Sequence, residues 1–292
     1  MSIFLSWKTL IEVLLGRYKD GNYLTMRALL RNKVLYFAGL VNVTIRNSNE
    51  WQELARRRNL QLQALREFAE IAEKIGLQYV VIKTFKLFPY VPDDVDILVL
   101  NNDAWNDLIL ELIAKGYYIR SIGTSEMTVR KVRFFTYVDL DLHHKVAAGE
   151  YVYHNNDNLW HNRRELEIGD VKIPVASWED ECLLTISHAV MKEFEVLASD
   201  LLQVLLGQRK GYIKLDYFHE NGHLETYRVF IRSQRRIISK GLCLPYRIPI
   251  WEVLHAYVHH LNHRLKRESF SPLKELIQFP KARGIKKLLS SS

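Results

Sequence analysis

Between residues 60 and 175 the apolar positions change period several times, and each change marks an element boundary. From Leu60, the residues Ala64, Phe68, Ala72 and Ile75 recur at helical spacing among charged neighbours, and Gly76 stands where a C-cap belongs. A helix ends there. Leu77–Lys83 is a short β-branched run and Val95–Leu100 a second, joined by the proline-containing connection FPYVPDD, so both are predicted strands. Asn102 or Asp103 caps a helix whose apolar face is Trp105, Leu108, Ile109, Leu112 and Ile113, closed by Gly116. Its other side is polar, so this helix covers a sheet. Tyr117–Ser121 and Thr128–Val146 hold further strands. In Phe134–Val146 the even positions are mostly apolar (Phe134, Val138, Leu140, Leu142, Val146), while odd positions carry Asp139, Asp141 and His143.

Around residue 174 helical periodicity takes over. Ser177 and Asp180 form a capping box, and Leu183, Ser187, Val190, Phe194, Leu197, Leu201 and Leu205 continue as one stripe to Gly207. The stripe predicts one helix of about 28 residues. Leu224–Lys240 and Trp251–Lys266 are further helices, with Pro245 and Pro249 between them, and residues 1–58 are helical with a weaker pattern. The expected architecture is α+β: an N-terminal helical region over 1–58, a mixed-sheet core over 59–174 and a C-terminal helical domain over 175–292. No internal repeat is present, and Ser290–Ser292 is the one low-complexity run.

Composition narrows the class. A chain of 292 residues that is 48% hydrophobic builds real cores, which excludes a disordered or disulfide-stapled protein. Cys182 and Cys243 stand alone, so neither a disulfide framework nor a multi-cysteine zinc site is available and a reducing cytoplasm is expected. The longest apolar run, Val34–Ile45, is interrupted by Asn42 and falls short of the roughly 20 residues a bilayer span needs. Lys8 and Glu12 interrupt the N-terminal apolar stretch and no small-residue cleavage site follows, so neither secretion nor a membrane anchor is expected.

The net charge of +8 conceals a split. Residues 1–58 carry 10 basic and 4 acidic groups, residues 59–204 carry 14 and 23, and residues 205–292 carry 17 and 6. An acidic middle between basic flanks suits a cation-gathering site in a protein that meets a polyanion.

The acidic middle has a focus. In Asp93-Asp94-Val95-Asp96-Ile97, the carboxylates of Asp94 and Asp96 project from one strand face about 7 Å apart, with Val95, Ile97 and Val99 on the other. They repel unless something positive lies between them, and hard oxygen ligands select Mg²⁺ or Mn²⁺. Asp139 and Asp141 again share the polar face of a strand that is apolar opposite. Two such strands converging is the constellation that two-metal phosphoryl or nucleotidyl transfer requires. Lys83, Thr84 and Lys86, at the end of the preceding strand, are placed to bind a triphosphate. His188, Lys192 and Asp200 fall on one stripe of the predicted long helix, facing nucleotide or acceptor, or forming an ordinary polar stripe.

The run Val80-Val81-Ile82-Lys83-Thr84, Asp94-Val95-Asp96-Ile97-Leu98-Val99, Lys115-Gly116-Tyr117 and Val138-Asp139-Leu140-Asp141-Leu142-His143 resembles the nucleotidyltransferase fold shared with DNA polymerase β. More narrowly it is similar to a largely uncharacterised bacterial and archaeal nucleotidyltransferase family, over about residues 60–206. Ile173-Pro174-Val175 through Glu179-Asp180, with His188 and Asp200, resembles that family's C-terminal helical region. The resemblance implies Mg²⁺- or Mn²⁺-dependent transfer of a nucleoside monophosphate from an NTP to an RNA, protein or small-molecule hydroxyl. Asp94 and Asp96 match the metal-binding pair and Asp141 the third carboxylate, with Asp139 competing one pleat earlier. The pattern expects glycine after the lysine, where this chain has Thr84, a departure that leaves room for an inactive member serving as a nucleic-acid or protein-binding module.

His255, His259 and His263 recur every fourth residue, with His260 beside them, but no acidic or cysteine partner completes a zinc motif. They read as a packed or phosphate-contacting helix face. Arg264, Lys266, Arg267, the tail residues Lys281, Arg283, Lys286 and Lys287, and the clusters Arg56–Arg58 and Arg232, Arg235, Arg236 suggest RNA or another polyanion as partner.

Overall fold

The computed structural model describes residues 4–18, 23–133, 136–148 and 151–267. A seven-stranded mixed sheet forms its centre: β1 (Tyr79–Ile82), β2 (Val95–Val99), β3 (Tyr118–Ile122), β4 (Glu126–Arg133), β5 (Thr136–His143), β6 (Arg164–Ile168) and β7 (Val171–Val175). They lie side by side in the order β3-β4-β5-β2-β1-β7-β6. β2 runs parallel to β5 and β1 to β7, whereas the other neighbours are antiparallel. With helices before and after the sheet, the architecture is α+β as expected.

Alternation along the strands sorts side chains into two cores. Tyr79, Val81, Val95, Ile97, Val99, Leu140 and Leu142 join Leu65 and Phe68 of the Asn49–Lys74 helix and Leu108 and Leu112 of the Trp105–Ala114 helix. Phe68 is fully buried and meets the Tyr79 ring edge-on at 5.0 Å. Its truncation to alanine is expected to cost about 3–5 kcal/mol. Val80, Ile82 and Leu98 enter a larger core with Leu10, Leu29 and Leu35 from the N-terminal helices and Leu184, Val204 and Phe230 from the C-terminal ones. Asp94 and Asp96 are in phase with Leu98. The acidic face therefore looks into the helical body rather than into open solvent.

The 26-residue Asn49–Lys74 helix, capped by the Ser48 side chain on the Trp51 N–H, spans residue 58. One expectation is corrected. The predicted 28-residue helix is two helices, Trp178–Ser187 and Ala198–Arg209, separated by a π-helical turn over His188–Glu193. Phe194 then adopts φ 59°, and Glu195–Val196 pairs with Tyr246–Arg247 as a short antiparallel ribbon. Asp200 restarts the helix by accepting the Leu197 N–H at 3.0 Å. The apolar stripe crosses this break because both helices face the same core. Among the described residues no helix is long and apolar enough to cross a membrane. The basic tail Lys281–Lys287 lies outside the described residues.

Candidate metal centre

The parallel pairing of β2 with β5 sets Asp96 directly beside Asp141 and Leu98 beside His143. Asp96, Asp141 and His143 each present a ligand atom within 4.8 Å of the others. His143 Nε2 lies 2.8 Å from Asp96 Oδ1, and its Nδ1 lies 3.6 Å from Glu126 Oε2, from the cross-strand neighbour on β4. The Lys83 ammonium donates to the same Asp96 Oδ1 at 2.5 Å.

Lys83 reaches Asp96 because β1 ends in an unusual turn. Its φ is +56°, a left-handed conformation that costs a non-glycine residue roughly 1–2 kcal/mol, and its N–H is held by Glu181 Oε1 at 2.8 Å. Glu181 is buried, and burial pushes its carboxyl up to about 8. The left-handed residue is thus the lysine, one place before the position where the resemblance expects glycine. Thr84 turns its hydroxyl to the backbone, donating to Ile82 O at 3.0 Å and accepting the Asp96 N–H at 3.3 Å. It lines a separate cavity of about 270 Å³.

Asp94, Asp96 and Asp141 open into a cavity of about 390 Å³ that also collects Lys83, Lys86, His188, Lys192 and Asp200. Most of the residues singled out by spacing therefore meet, including three from the segment whose helix proved broken. Asp139 does not join them. Register decides this: Asp141 faces Thr128 on β4, but Asp139 faces Arg130. Arg130 grips both Asp139 oxygens at 2.7 Å, and Arg120 adds a third contact at 2.7 Å.

Burial and crowding split the carboxylates. Asp94 is pushed up to about 8 by burial, then by the neighbouring Asp96 and Asp141 charges. Burial also opposes ionisation of Asp96, but Lys83 and the His143 hydrogen bond override it and hold the group far below the usual carboxylate range. Asp141 is raised, chiefly by burial. Burial lowers Lys86, whose ammonium lies 3.3 Å from Thr185 Oγ1 and 3.8 Å from Asp200 Oδ1. His188 is driven well below its ordinary value by burial. Three crowded oxygen donors beside an imidazole fit a divalent cation, which would relieve the repulsion that raises Asp94.

Four contributors escaped the sequence reading of roles. His143 was visible in phase with Asp139 and Asp141. Glu181 gave no sign of its link to Lys83, 98 residues away. Arg31 and Lys33 come from the N-terminal helical region to line the cavity. Lys33 follows the Tyr23–Arg31 helix in a left-handed turn, φ +56°, and pairs with Asp93 at 3.0 Å.

Elsewhere, His255 lies 3.4 Å from Glu225, while His260 is buried against the Tyr151 hydroxyl at 2.5 Å. Among the described residues, the Asp96–Asp141–His143 group is the one cluster placed to hold a metal. Arg232 and Arg236 are tied to the buried Glu252, Arg56 to Glu53 and Arg57 to Asp93.

Comparison with solved structures finds a likeness. The crystal structure of an antigenic nucleotidyltransferase-like protein from Paracoccidioides brasiliensis is similar at a TM-score of 0.43 and 13% identity, covering 67% of this chain and 97% of that one. No family model and no curated protein matches the sequence.

Proposed function

We propose that this chain is a metal-dependent nucleotidyltransferase, moving a nucleoside monophosphate from an NTP to an acceptor hydroxyl with release of pyrophosphate. The observation that carries the reading is the meeting of Asp94, just before β2, and Asp96 of β2 with Asp141 of β5 in a cavity that also gathers lysines. The acceptor oxygen bonds to the α-phosphorus. The bond from that phosphorus to the bridging oxygen breaks, and pyrophosphate leaves with the electron pair. Asp141, raised by burial, takes the hydroxyl proton. Lys83, Lys86 and Lys192, with Arg31 and Lys33, hold the triphosphate oxygens, and neutral His188 contributes a hydrogen bond. Thr84 serves by bracing the Asp96 backbone. Mg²⁺ or Mn²⁺ held by Asp94, Asp96, Asp141 and His143 would supply charge neutralisation at the phosphates.

The test is the double substitution Asp94→Asn with Asp96→Asn. It is expected to abolish Mg²⁺-dependent NTP consumption while the circular dichroism stays native; undiminished turnover refutes the reading.

A second reading has its own support: Lys83 already neutralises Asp96 at 2.5 Å, and Thr84 stands where glycine is expected. On that reading the fold is kept as a nucleic-acid or protein-binding module without catalysis. Calorimetric titration with NTP and Mg²⁺ separates the two, since the module takes up no nucleotide at millimolar concentration.

A further inference from the structure

The end of β1 decides where Lys83 points. Along the strand Tyr79 and Val81 enter the core with Phe68, while Val80 and Ile82 face the helical body. Ile82 pairs with Asp96, so the two share that face. Continued as a strand, residue 83 would follow Val81 into the apolar core. The left-handed turn at Lys83 reverses this and brings its ammonium to Asp96 Oδ1 on the acidic side. A non-glycine residue keeps such a backbone only where its surroundings impose it.

The helix after β7 supplies the constraint. β7 runs parallel to β1, the Ala176 N–H donates to Val81 O at 2.9 Å, and Ser177 caps the Trp178–Ser187 helix by accepting the Asp180 N–H at 3.1 Å. The helix therefore begins beside the end of β1. Glu181 and Thr185, one turn apart, face the 83–86 turn together: Glu181 Oε1 accepts the Lys83 N–H at 2.8 Å, and Thr185 Oγ1 lies 3.3 Å from the Lys86 ammonium. Glu181 is 1% exposed, and its other oxygen, Oε2, has no hydrogen-bond partner among the described residues. A buried carboxyl with one oxygen unpaired carries a desolvation cost that an apolar side chain of that size would not. Stability alone gives no reason for a glutamate at this position.

We infer that Glu181 is a positioning residue of the acidic cavity: by holding the Lys83 N–H it sets the left-handed turn that carries the Lys83 side chain to the carboxylates. It acts through Lys83 rather than on a substrate. Burial pushes its carboxyl up to about 8, so at neutral pH the group is largely uncharged and glutamine reproduces both its shape and its acceptor. Its contribution is a hydrogen-bond acceptor at one point. That Lys83 binds phosphate rests on the transferase reading; that Glu181 orients Lys83 rests on the turn.

Calorimetry with inorganic tripolyphosphate and Mg²⁺, alongside urea midpoints, tests this on the full chain. Glu181→Met, which keeps the shape and removes the acceptor, is expected to weaken tripolyphosphate binding about tenfold or more, the scale of a lost charge-assisted hydrogen bond. Glu181→Gln is expected to bind as wild type does. Lys83→Gln should lose as much as Glu181→Met, and combining the two should weaken binding by no more than about twofold further, because the lysine through which Glu181 acts is already gone. A merely structural role would lower the urea midpoint and leave the affinity unchanged. Wild-type affinity in Glu181→Met, losses that add in the double variant, or a loss of about tenfold in Glu181→Gln overturns the assignment. Hydrogen exchange at the Lys83 amide needs neither ligand nor a destabilised variant: it is expected to be slow in wild type and in Glu181→Gln, and fast exchange in wild type overturns the assignment as well. A wild type that binds no tripolyphosphate strikes the phosphate role of Lys83 together with this assignment, whereas binding without NTP consumption strikes the transferase reading alone.

Discussion

The acidic cavity and the buried histidine pair His223 and His260 stand on the same scaffold, and burial acts on both by penalising charge, with opposite results. In the first, burial and two neighbouring carboxylates push Asp94 up to about 8, leaving a group that wants a proton or a cation. In the second, burial pushes His260 down to about 3, and the imidazole stays neutral on the Tyr151 hydroxyl. The first region stores an unmet demand for positive charge, whereas His260 in the second already has its hydrogen-bond partner. On the proposed function the chemistry falls to the carboxylates, while His260 supplies shape and a neutral contact.

Neutralising one acid tests that division most severely. Asp141→Asn is expected to lower NTP turnover by at least about a hundredfold, the scale of a lost acid–base group, with the fold intact. Asp139→Asn, one pleat away, is expected to leave turnover close to wild type while weakening the fold. It abandons Arg130 and Arg120 in their ion pairs, at a cost of about 3 kcal/mol. Turnover and a urea midpoint measured on both variants decide it; a catalytic loss at Asp139 comparable to that at Asp141 would move the third carboxylate.

Proton release sharpens the contrast next. A cation binding to Asp94 must displace its proton below about pH 8, so apparent Mn²⁺ affinity should rise about tenfold per pH unit towards pH 8 and then level off. Calorimetry in two buffers of different ionisation enthalpy reports the proton released at pH 7. An affinity independent of pH from 6 to 9 would place the metal elsewhere.

The elements were legible wherever local period carries the signal. Gly76 and Gly116 end helices with φ of +65° and +86°, where the sequence places C-caps. Asp94, Asp96 and Asp141 were readable because strand alternation is local. What distinguishes Asp141 from Asp139 is the cross-strand partner, Thr128 against Arg130, and register is settled only when strands pair. Lys33 and Arg31 enter the cavity through tertiary packing that no spacing announces. The break at Phe194 was hidden because an uninterrupted apolar stripe serves two helices on one core as well as it serves one. The helix that spans residue 58 places Leu54 in one core and Leu65 and Phe68 in the other, a division that its single local period does not mark.

Acid stability probes the histidine side. Histidine unfolds to a group titrating near 6.5, so His260, depressed to about 3 in the fold, lends stability that is full above pH 6.5. That contribution is lost as pH falls towards 3, by about 1.4 kcal/mol per unit. Asp94 contributes with the opposite sign, since a raised carboxyl loses stability as pH rises between its unfolded value and about 8. Comparing urea midpoints of wild type and His260→Gln at pH 6.5, 5.5 and 4.5 cancels the Asp94 part. The variant should show the flatter acid slope; parallel slopes would mean that His260 is protonated in the fold.

Thr84 gives the smallest effect and the finest distinction. Its hydroxyl donates to Ile82 O and accepts from the Asp96 N–H, so both of its hydrogen-bonding roles lie within the scaffold behind the acids. Thr84→Val keeps the shape and removes both bonds. The loss should be about 1–2 kcal/mol of stability, the cost of leaving buried polar groups unpaired. If the hydroxyl only braces β2, KM for NTP stays at its wild-type value and the whole loss appears in the urea midpoint. If it touches the triphosphate, as its place in the motif suggests, KM rises while the midpoint holds. The two readings of this residue thus predict opposite partitions of one small energy between binding and folding.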